Sequence, residues 1–226
     1  MFFFPGNGVE SWRALLADPE RQWRRGYSAR ALAYSWEEAG GFPKEVKYVF
    51  EAKSPSVFSG IECLAAFPEH KVKLPGAGLP SQNDIFVLAR CGDQLISIMV
   101  EGKVSETFGS QIVSEWLRDG GTNRANRLDG LASMLGLEAT NLGPIWYQLV
   151  HRTASALIEA ERFGAGHALM LVHSFSQTQE HFEDYAAFAK LLGVEVEPES
   201  IVKVGQRRGK ELYLGWVTGA TEYLER

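Results

Sequence analysis

The residues best suited to chemistry are two carboxylates and a lysine in the middle of the chain, Asp84, Glu101 and Lys103. Paired carboxylates act in proteins as general acids and bases, or as ligands of hard cations such as Mg²⁺. A lysine beside them can stabilise developing negative charge or move a proton. Whether the three side chains meet depends on the elements that carry them.

Asp84 begins the first of two apolar segments, DIFVLARC and QLISIMVEGKV, and the second segment carries Glu101 and Lys103. The segments are separated by Gly92-Asp93, a two-residue connection that predicts a tight antiparallel hairpin. Counting outward from this turn places Asp84 directly opposite Glu101, with both side chains on one face. Lys103 shares that face because side chains alternate along a strand.

The predicted hairpin is apolar on both faces, which indicates central, covered strands. Two carboxylates at the rim of such strands repel each other unless a positive charge lies between them. Lys103 can supply that charge, but a divalent cation satisfies both carboxylates better. We therefore expect Asp84, Glu101 and the backbone carbonyl of Gly102 to bind Mg²⁺ or Mn²⁺, which would polarise a phosphate and acidify a water. Lys103 would position or deprotonate the nucleophile, or stabilise charge on the phosphate.

Apolar periodicity and Gly and Pro breaks predict further elements on both sides of the hairpin. Ser28 is expected to cap the helix ARALAYSWEEAG, and Pro144 to open the longest helix, PIWYQLVHRTASALIEAERF. HALMLVHSF is expected to be a buried strand, and SIVKV and ELYLGWV a second hairpin around GQRRGK. Shorter helices are expected over residues 10–26, 43–52, 110–117, 126–136 and 178–192, and a strand near 61–67. This order is typical of an α/β (α+β) fold, with a central mixed sheet and helices on both faces.

Asn83-Asp84 followed by Glu101-Gly102-Lys103 resembles the motif of the PD-(D/E)XK nuclease superfamily. That superfamily has a restriction-endonuclease-like core of helix, three strands, helix and strand. Its Asp lies at the start of the second strand and its (D/E)xK on the third, and Asn83 stands where the family often has Pro. The resemblance covers approximately residues 28–175, with N-terminal helical and C-terminal hairpin extensions. It implies that ARALAYSWEEAG is the first core helix and that a strand near residues 61–73 is the first core strand. We expect a single domain over residues 1–226.

The resemblance implies a nuclease, a Mg²⁺- or Mn²⁺-dependent phosphodiesterase acting on nucleic acid, with DNA favoured. It also implies auxiliary site residues: a carboxylate from the first helix, here Glu37 or Glu38, and a glutamine on the second core helix, here Gln148. Arg152 shares a helix face with Gln148 because it lies one turn further along. The alternatives are solvent-facing carboxylates for the first pair and a capping network for the second, and the sequence leaves both open.

The net charge of −5 argues against an extensive DNA-binding surface, because proteins with such surfaces are usually basic. A local basic patch is enough to contact phosphates, although each basic cluster can equally be a solvated surface. The clusters are Arg21, Arg24 and Arg25; Arg118, Arg124 and Arg127; and Arg207, Arg208 and Lys210. The Gly-rich segment LPGAGLPS precedes a strand and lacks P-loop spacing, so we interpret it as a loop over the site.

A second interpretation is a catalytically inactive nuclease-like scaffold that binds protein or nucleic acid, since fold does not fix function. The carboxylates and the lysine would then form a structural salt bridge at the hairpin end. Trp12, Trp23 and Trp216 would form a partner surface or simply pack in the core. A homodimer or a protein partner is compatible with both interpretations.

Cysteine usage and hydropathy bear on the compartment. Cys63 and Cys91 have neither CxxC nor Cys/His spacing, which argues against a structural zinc site and fits a reducing compartment. The N-terminal apolar run is too short for a signal peptide. No apolar run approaches the roughly 20 residues that span a bilayer. We therefore expect a cytoplasmic protein without a membrane segment.

Overall fold

The computed structural model describes residues 8–118 and 120–226. The N-terminal apolar run, from which we expect no signal peptide, lies outside the described residues. The helices are α1 (Pro19–Gln22), α2 (Ser28–Ala39), α3 (Lys44–Ala52), α4 (Val113–Arg118), α5 (Gly121–Leu135), α6 (Tyr147–Arg162) and α7 (Phe182–Leu191), with 3₁₀ turns at Val9–Leu15, Ser56–Phe58, Ala139–Leu142 and Thr221–Leu224. The strands are β1 (Glu62–Val72), β2 (Ser81–Cys91), β3 (Gln94–Lys103), β4 (His167–Ser174), β5 (Ser200–Arg207) and β6 (Lys210–Thr218).

The six strands form one mixed sheet in the order β1-β2-β3-β4-β6-β5. β1, β2 and β3 are antiparallel neighbours, β4 runs parallel to both β3 and β6, and β5 pairs antiparallel with β6. The parallel step from β3 to β4 is a crossover that contains α4, α5 and α6, as a parallel connection requires. The predicted α+β fold class with a central mixed sheet is confirmed.

The hairpin of β2 and β3 has the register that the Gly92-Asp93 turn predicts. Cys91 lies opposite Gln94, and the pairing continues without a shift as far as Ile85 opposite Val100. Gly92 adopts a φ of 54°, a left-handed conformation in which a glycine avoids the steric cost of a Cβ. The register therefore follows from the turn chemistry together with two apolar faces.

Helices cover both faces of the sheet, and each face has its own apolar core. α5, α6 and α7 cover one face, and α2 and α3 cover the other. The first core includes Phe86, Met99, Leu149, Met170 and Tyr185. The second core includes Leu32, Trp36, Phe50, Val87 and Leu171. Since neighbouring strand residues such as Phe86 and Val87 enter opposite cores, β2, β3 and β4 are buried on both sides.

Several predicted helix boundaries are wrong for identifiable reasons. Residues 10–26 contain a 3₁₀ turn and the four-residue α1 instead of one helix, because Pro19 lacks an N–H and can only start a new helix. Ser28 is already helical, and the N-cap position is Tyr27, whose side chain makes no capping bond. α6 begins at Tyr147, since a bridge between Ile112 and Trp146 keeps the preceding residue extended.

The three tryptophans considered for a partner surface, Trp12, Trp23 and Trp216, are buried and belong to the two cores. Cys63 and Cys91 are both free thiols. Within the described residues, no helix has the length and apolar character needed to cross a bilayer.

Candidate functional site

A cleft of about 660 Å³ opens where one end of β1, β2 and β3 meets the loop after β3, α6, and the segment from α1 to the start of α2. All three residues predicted to carry the chemistry contribute to its wall. The cleft is lined by Leu16, Ala17, Asp18, Arg21, Gln22, Tyr27, Ser28, Ala29, Glu69, Gln82, Asp84, Glu101, Gly102, Lys103, Glu106, Thr107, Gly109, Ser110, Gln148 and Arg152.

Three carboxylates follow one another across neighbouring strands at this end of the sheet: Glu69 on β1, Asp84 on β2 and Glu101 on β3. The pairing of β1 with β2 places Glu69 at the level of Asp84, since the residues before and after them are paired. The ladder of β2 and β3 ends at the pair of Ile85 and Val100, so it stops next to Asp84 and does not include the predicted pair of Asp84 and Glu101. Beyond that point the Asp84 side chain connects the two strands, because its Oδ2 accepts a hydrogen bond from the N–H of Gly102 at 2.7 Å.

Two buried cations hold Glu101 from either side. Lys103 Nζ donates to Glu101 Oε1 at 2.8 Å and to Gln148 Oε1 at 3.0 Å. Arg152 Nε donates to Glu101 Oε2 at 2.6 Å, and the Arg152 guanidinium lies 3.9 Å from Asp84 Oδ1. The Glu101 and Lys103 side chains are only 3% and 4% exposed, so this ion pair is largely shielded from water.

The cluster has three carboxylates and two cations, and the pKa values reflect this imbalance. Burial, followed by the negative charge of Glu101, raises the pKa of Asp84 to about 7. Burial, followed by the charge of Asp84, raises the pKa of Glu69 to about 8. Burial also opposes ionisation of Glu101, but Arg152 and Lys103 outweigh it and hold the pKa of that carboxyl below its usual value. Asp84 and Glu69 are therefore the two carboxyl groups whose ionised forms lack a compensating positive charge.

The donor set fits a hard divalent cation. Within the described residues, Oδ1 of Asp84 and Oε1 of Glu69 accept no hydrogen bond, and an additional positive charge would stabilise both carboxylates in their ionised form. Carboxylate oxygens are the ligands that Mg²⁺ and Mn²⁺ prefer. The same described residues contain no group of three His, Cys, Asp or Glu side chains already gathered around one point, so ion binding would require side-chain adjustment, chiefly of Glu101.

The auxiliary residues expected from the resemblance divide into two groups. Gln148 and Arg152 lie on the α6 face that borders the cleft, and they contact Lys103 and Glu101 directly. Glu37 is not a cleft residue: its Oε1 accepts the indole N–H of Trp12 at 2.8 Å. The reason is that α2 directs its N-terminal end, at Ser28, towards the cleft, and Glu37 follows more than two turns later.

Glu69 and Gln82 are residues next to the carboxylate cluster that sequence reasoning missed. Gln82 Nε2 donates to Glu69 Oε2 at 2.7 Å, which orients the glutamate. Glu69 has a φ of 51°, a left-handed conformation that is uncommon outside glycine and that clusters at functional sites. The first strand implied by the resemblance, near residues 61–73, includes Glu69, but the sequence does not fix how that strand pairs with the next, so Glu69 was not assigned to the site.

Fold and site together define a mixed-sheet α+β protein with a buried carboxylate–cation cluster at one end of its antiparallel strands. The chain belongs to a family described as a domain of unknown function (DUF6946), which matches residues 5–221. No curated protein and no solved structure matches the chain. The sheet and the cleft both lie inside the matched region.

Proposed function

We propose that the protein is a divalent-cation-dependent phosphodiesterase that hydrolyses nucleic acid, preferably DNA, in the manner of PD-(D/E)XK nucleases. The observation that carries the proposal is the row of Glu69, Asp84 and Glu101 beside the buried Lys103. The order of elements also supports it, because α2, the meander of β1, β2 and β3, then α6 and β4 follow the order that the resemblance implies.

Asp84, Glu69 and Glu101, with the carbonyl of Gly102, would hold Mg²⁺ or Mn²⁺. When bound, such an ion supplies positive charge at the scissile phosphate and makes a nearby water more acidic. Because Oδ1 of Asp84 and Oε1 of Glu69 accept no hydrogen bond within the described residues, these two residues would provide the first contacts.

Lys103 would act directly on the substrate. An ammonium group has three N–H donors, and Lys103 uses two of them, on Glu101 and Gln148. The third remains for a phosphate oxygen or for the attacking water. Two fixed partners restrict the side chain to one orientation, which reduces the entropy lost when substrate binds. Arg152 would be a positioning residue, since it holds Glu101 and approaches Asp84.

The cytoplasm is the compartment we propose for this activity, and the free thiols of Cys63 and Cys91 support it because such thiols persist in reducing surroundings. A homodimer or a protein partner would extend the short basic surface at Arg21, the cationic residue that the α1 segment contributes to the cleft.

A second candidate function is a binding scaffold derived from the same fold. The engagement of Glu101 favours it, because both carboxylate oxygens already accept hydrogen bonds from Lys103 and Arg152. In that case the cluster would stabilise the end of the sheet and bind no ion.

The decisive experiment incubates the purified chain with plasmid and single-stranded DNA in Mg²⁺ or Mn²⁺, with chelator as the parallel condition. We expect metal-dependent cleavage that Lys103→Ala and Asp84→Asn each reduce by about 100-fold or more, the size typical of losing a charged group at the reacting centre. Lys190→Ala is the matched control, because Lys190 is an exposed residue of α7. Cleavage that persists in chelator would refute metal dependence, and cleavage that persists in Lys103→Ala would refute this site as the catalytic centre. Absence of cleavage in all proteins would favour the scaffold.

A further inference from the structure

A second cavity of about 350 Å³, here called the arginine pocket, lies beside the cleft. Its walls include residues 77–81, Arg124, Arg127, Tyr147 and His151. The two cavities share α6: Tyr147 and His151 line the arginine pocket, and the residue that follows each of them, Gln148 or Arg152, lines the cleft. The predicted loop over the site, LPGAGLPS, therefore borders the arginine pocket instead of the cleft.

The arginine pocket is positively charged. Arg124 and Arg127 contribute two guanidinium groups, and none of the described residues lining the pocket is an aspartate or glutamate. Such a concentration of like charge is unusual in a chain with a net charge of −5, and it costs free energy unless an anion compensates it.

Two buried polar atoms at this pocket, Nε of Arg127 and the hydroxyl of Tyr147, make no hydrogen bond of good geometry within the described residues, and the Tyr147 hydroxyl lies close to the Arg127 guanidinium. Arg127 is only 7% exposed, and its NH1 donates to the carbonyl of Leu79 at 2.8 Å, which fixes the guanidinium against the loop. Buried donors of this kind cost free energy when they stay unpaired, so they point to a ligand that accepts hydrogen bonds.

His151 is a further polar residue of the pocket wall. Ser81 Oγ accepts a hydrogen bond from Arg152 NH1 at 2.9 Å and lies 2.8 Å from His151 Nδ1. Burial, followed by the positive charge of Arg152, lowers the pKa of His151 well below its usual value, so the imidazole is neutral. Ser81 Oγ also lies 3.4 Å from Asn83 Oδ1, so the serine hydroxyl can donate either to that oxygen or to His151 Nδ1. Ser81 and α6 couple the pocket to the site of proposed chemistry.

We propose that the arginine pocket binds a phosphate group of the same nucleic-acid strand whose scissile phosphate lies in the cleft. The proposal rests on the proposed function. Phosphate oxygens accept from several donors at once, and guanidinium groups match them in charge and geometry. Stacking of a nucleic-acid base on Trp116 is disfavoured as an alternative. The Tyr147 ring already stacks on the Trp116 ring at 3.9 Å, and the Arg124 guanidinium lies over the same ring at 5.3 Å.

The test measures binding of a short 3′-labelled single strand of DNA by fluorescence anisotropy, in chelator so that cleavage does not interfere. We expect Arg127→Gln to weaken binding about tenfold or more, the effect of losing a charge-assisted contact. Tyr147→Phe should weaken binding about threefold to tenfold with little change in thermal stability, since its hydroxyl makes no hydrogen bond of good geometry within the described residues. Arg90→Gln is the matched control, because it removes the same charge at the exposed end of the hairpin.

Two versions of the strand, with a 5′-phosphate and with a 5′-hydroxyl, identify which phosphate is bound. If the two variants lose affinity only for the 5′-phosphorylated strand, the pocket binds a terminal phosphate. If they lose affinity equally for both strands, the pocket binds an internal phosphate. Either result supports the proposal. Unchanged binding of both strands in Arg127→Gln and Tyr147→Phe would overturn it. This failure is separate from that of the proposed function, because a chain that cleaves DNA with metal while both variants bind normally remains a nuclease without a phosphate pocket.

Discussion

At the scale of single residues, Glu101 has the most constrained environment in the cluster. It is buried, and each of its oxygens accepts a hydrogen bond from a different buried cation, Lys103 or Arg152. Burying three charges is costly, and the arrangement is tolerated because the attraction and the hydrogen bonds offset the loss of hydration. Removing the negative partner alone would leave two cations uncompensated.

We therefore expect Glu101→Gln to lower the free energy of unfolding by about 3 kcal/mol, measured by urea denaturation in chelator. Glu62→Gln is the control, because Glu62 and its partner Arg90 are 65% and 50% exposed and such surface pairs contribute roughly 0.5 kcal/mol. If both variants lost the same small amount of stability, the buried ion pairs of Glu101 would not exist as described.

Glu69 shows why part of the site could not be predicted from sequence. The positions of Asp84, Glu101 and Lys103 followed from a two-residue turn, which fixes register by its length. β1 joins β2 through residues 73–80, and a connection of that length does not fix the pairing. The left-handed conformation of Glu69 adds a local change that alternation along a strand does not anticipate.

At the scale of elements, α2 and β4 are connected by a buried hydrogen bond between Trp36 and His173. Trp36 Nε1 donates to His173 Nδ1 at 3.1 Å, and both side chains have no exposed surface. This bond fixes the end of β4 that lies next to Gly102 and Lys103, because Gly102 pairs with His173. The histidine must be neutral to accept the proton of the indole.

The burial of His173 makes stability depend on pH. Burial lowers the pKa of His173 from 6.5 to about 3, so the unfolded chain binds a proton before the folded chain does. Stability from this residue is fully present above pH 6.5 and is lost as pH falls towards 3, by up to about 1.4 kcal/mol per pH unit.

His173→Asn tests this dependence, because the amide oxygen can accept from Trp36 but does not titrate in this range. Unfolding free energies between pH 7 and pH 5 should fall more steeply in the wild-type chain than in the variant, and the difference isolates His173 from other groups. Equal slopes in the two proteins would show that His173 is not buried in its neutral form.

The elements that were well predicted have a clear local cause, and the poorly predicted ones depend on distant contacts. Both hairpins and the buried strand β4 carry turn residues or an unbroken apolar run. The start of α6 depends on a bridge between Ile112 and Trp146 that is absent from any local pattern. The arginine pocket likewise forms only because α5 brings Arg127 against Leu79, far away in the sequence.

At the scale of the whole molecule, charge is separated. The net charge is −5, and the cleft is lined by more carboxylates than cations, whereas the arginine pocket on the other side of α6 has two arginines and no carboxylate among its described lining residues. An acidic surface limits non-specific binding to nucleic acid, because few phosphates are neutralised outside these two sites. Substrate binding would therefore depend on a small number of well-placed contacts.

The central claim is that Glu69, Asp84 and Glu101 bind a divalent cation and do not merely form salt bridges at the end of the strands. Calorimetric titration of Mn²⁺ into the chelator-treated chain at about pH 8.5 tests it directly, since Asp84, with a pKa of about 7, is then largely ionised. We predict binding that Asp84→Asn weakens about tenfold or more and that Asp93→Asn, at the exposed hairpin turn, leaves unchanged. Absence of binding at millimolar Mn²⁺, or equal binding by all three proteins, would contradict the account.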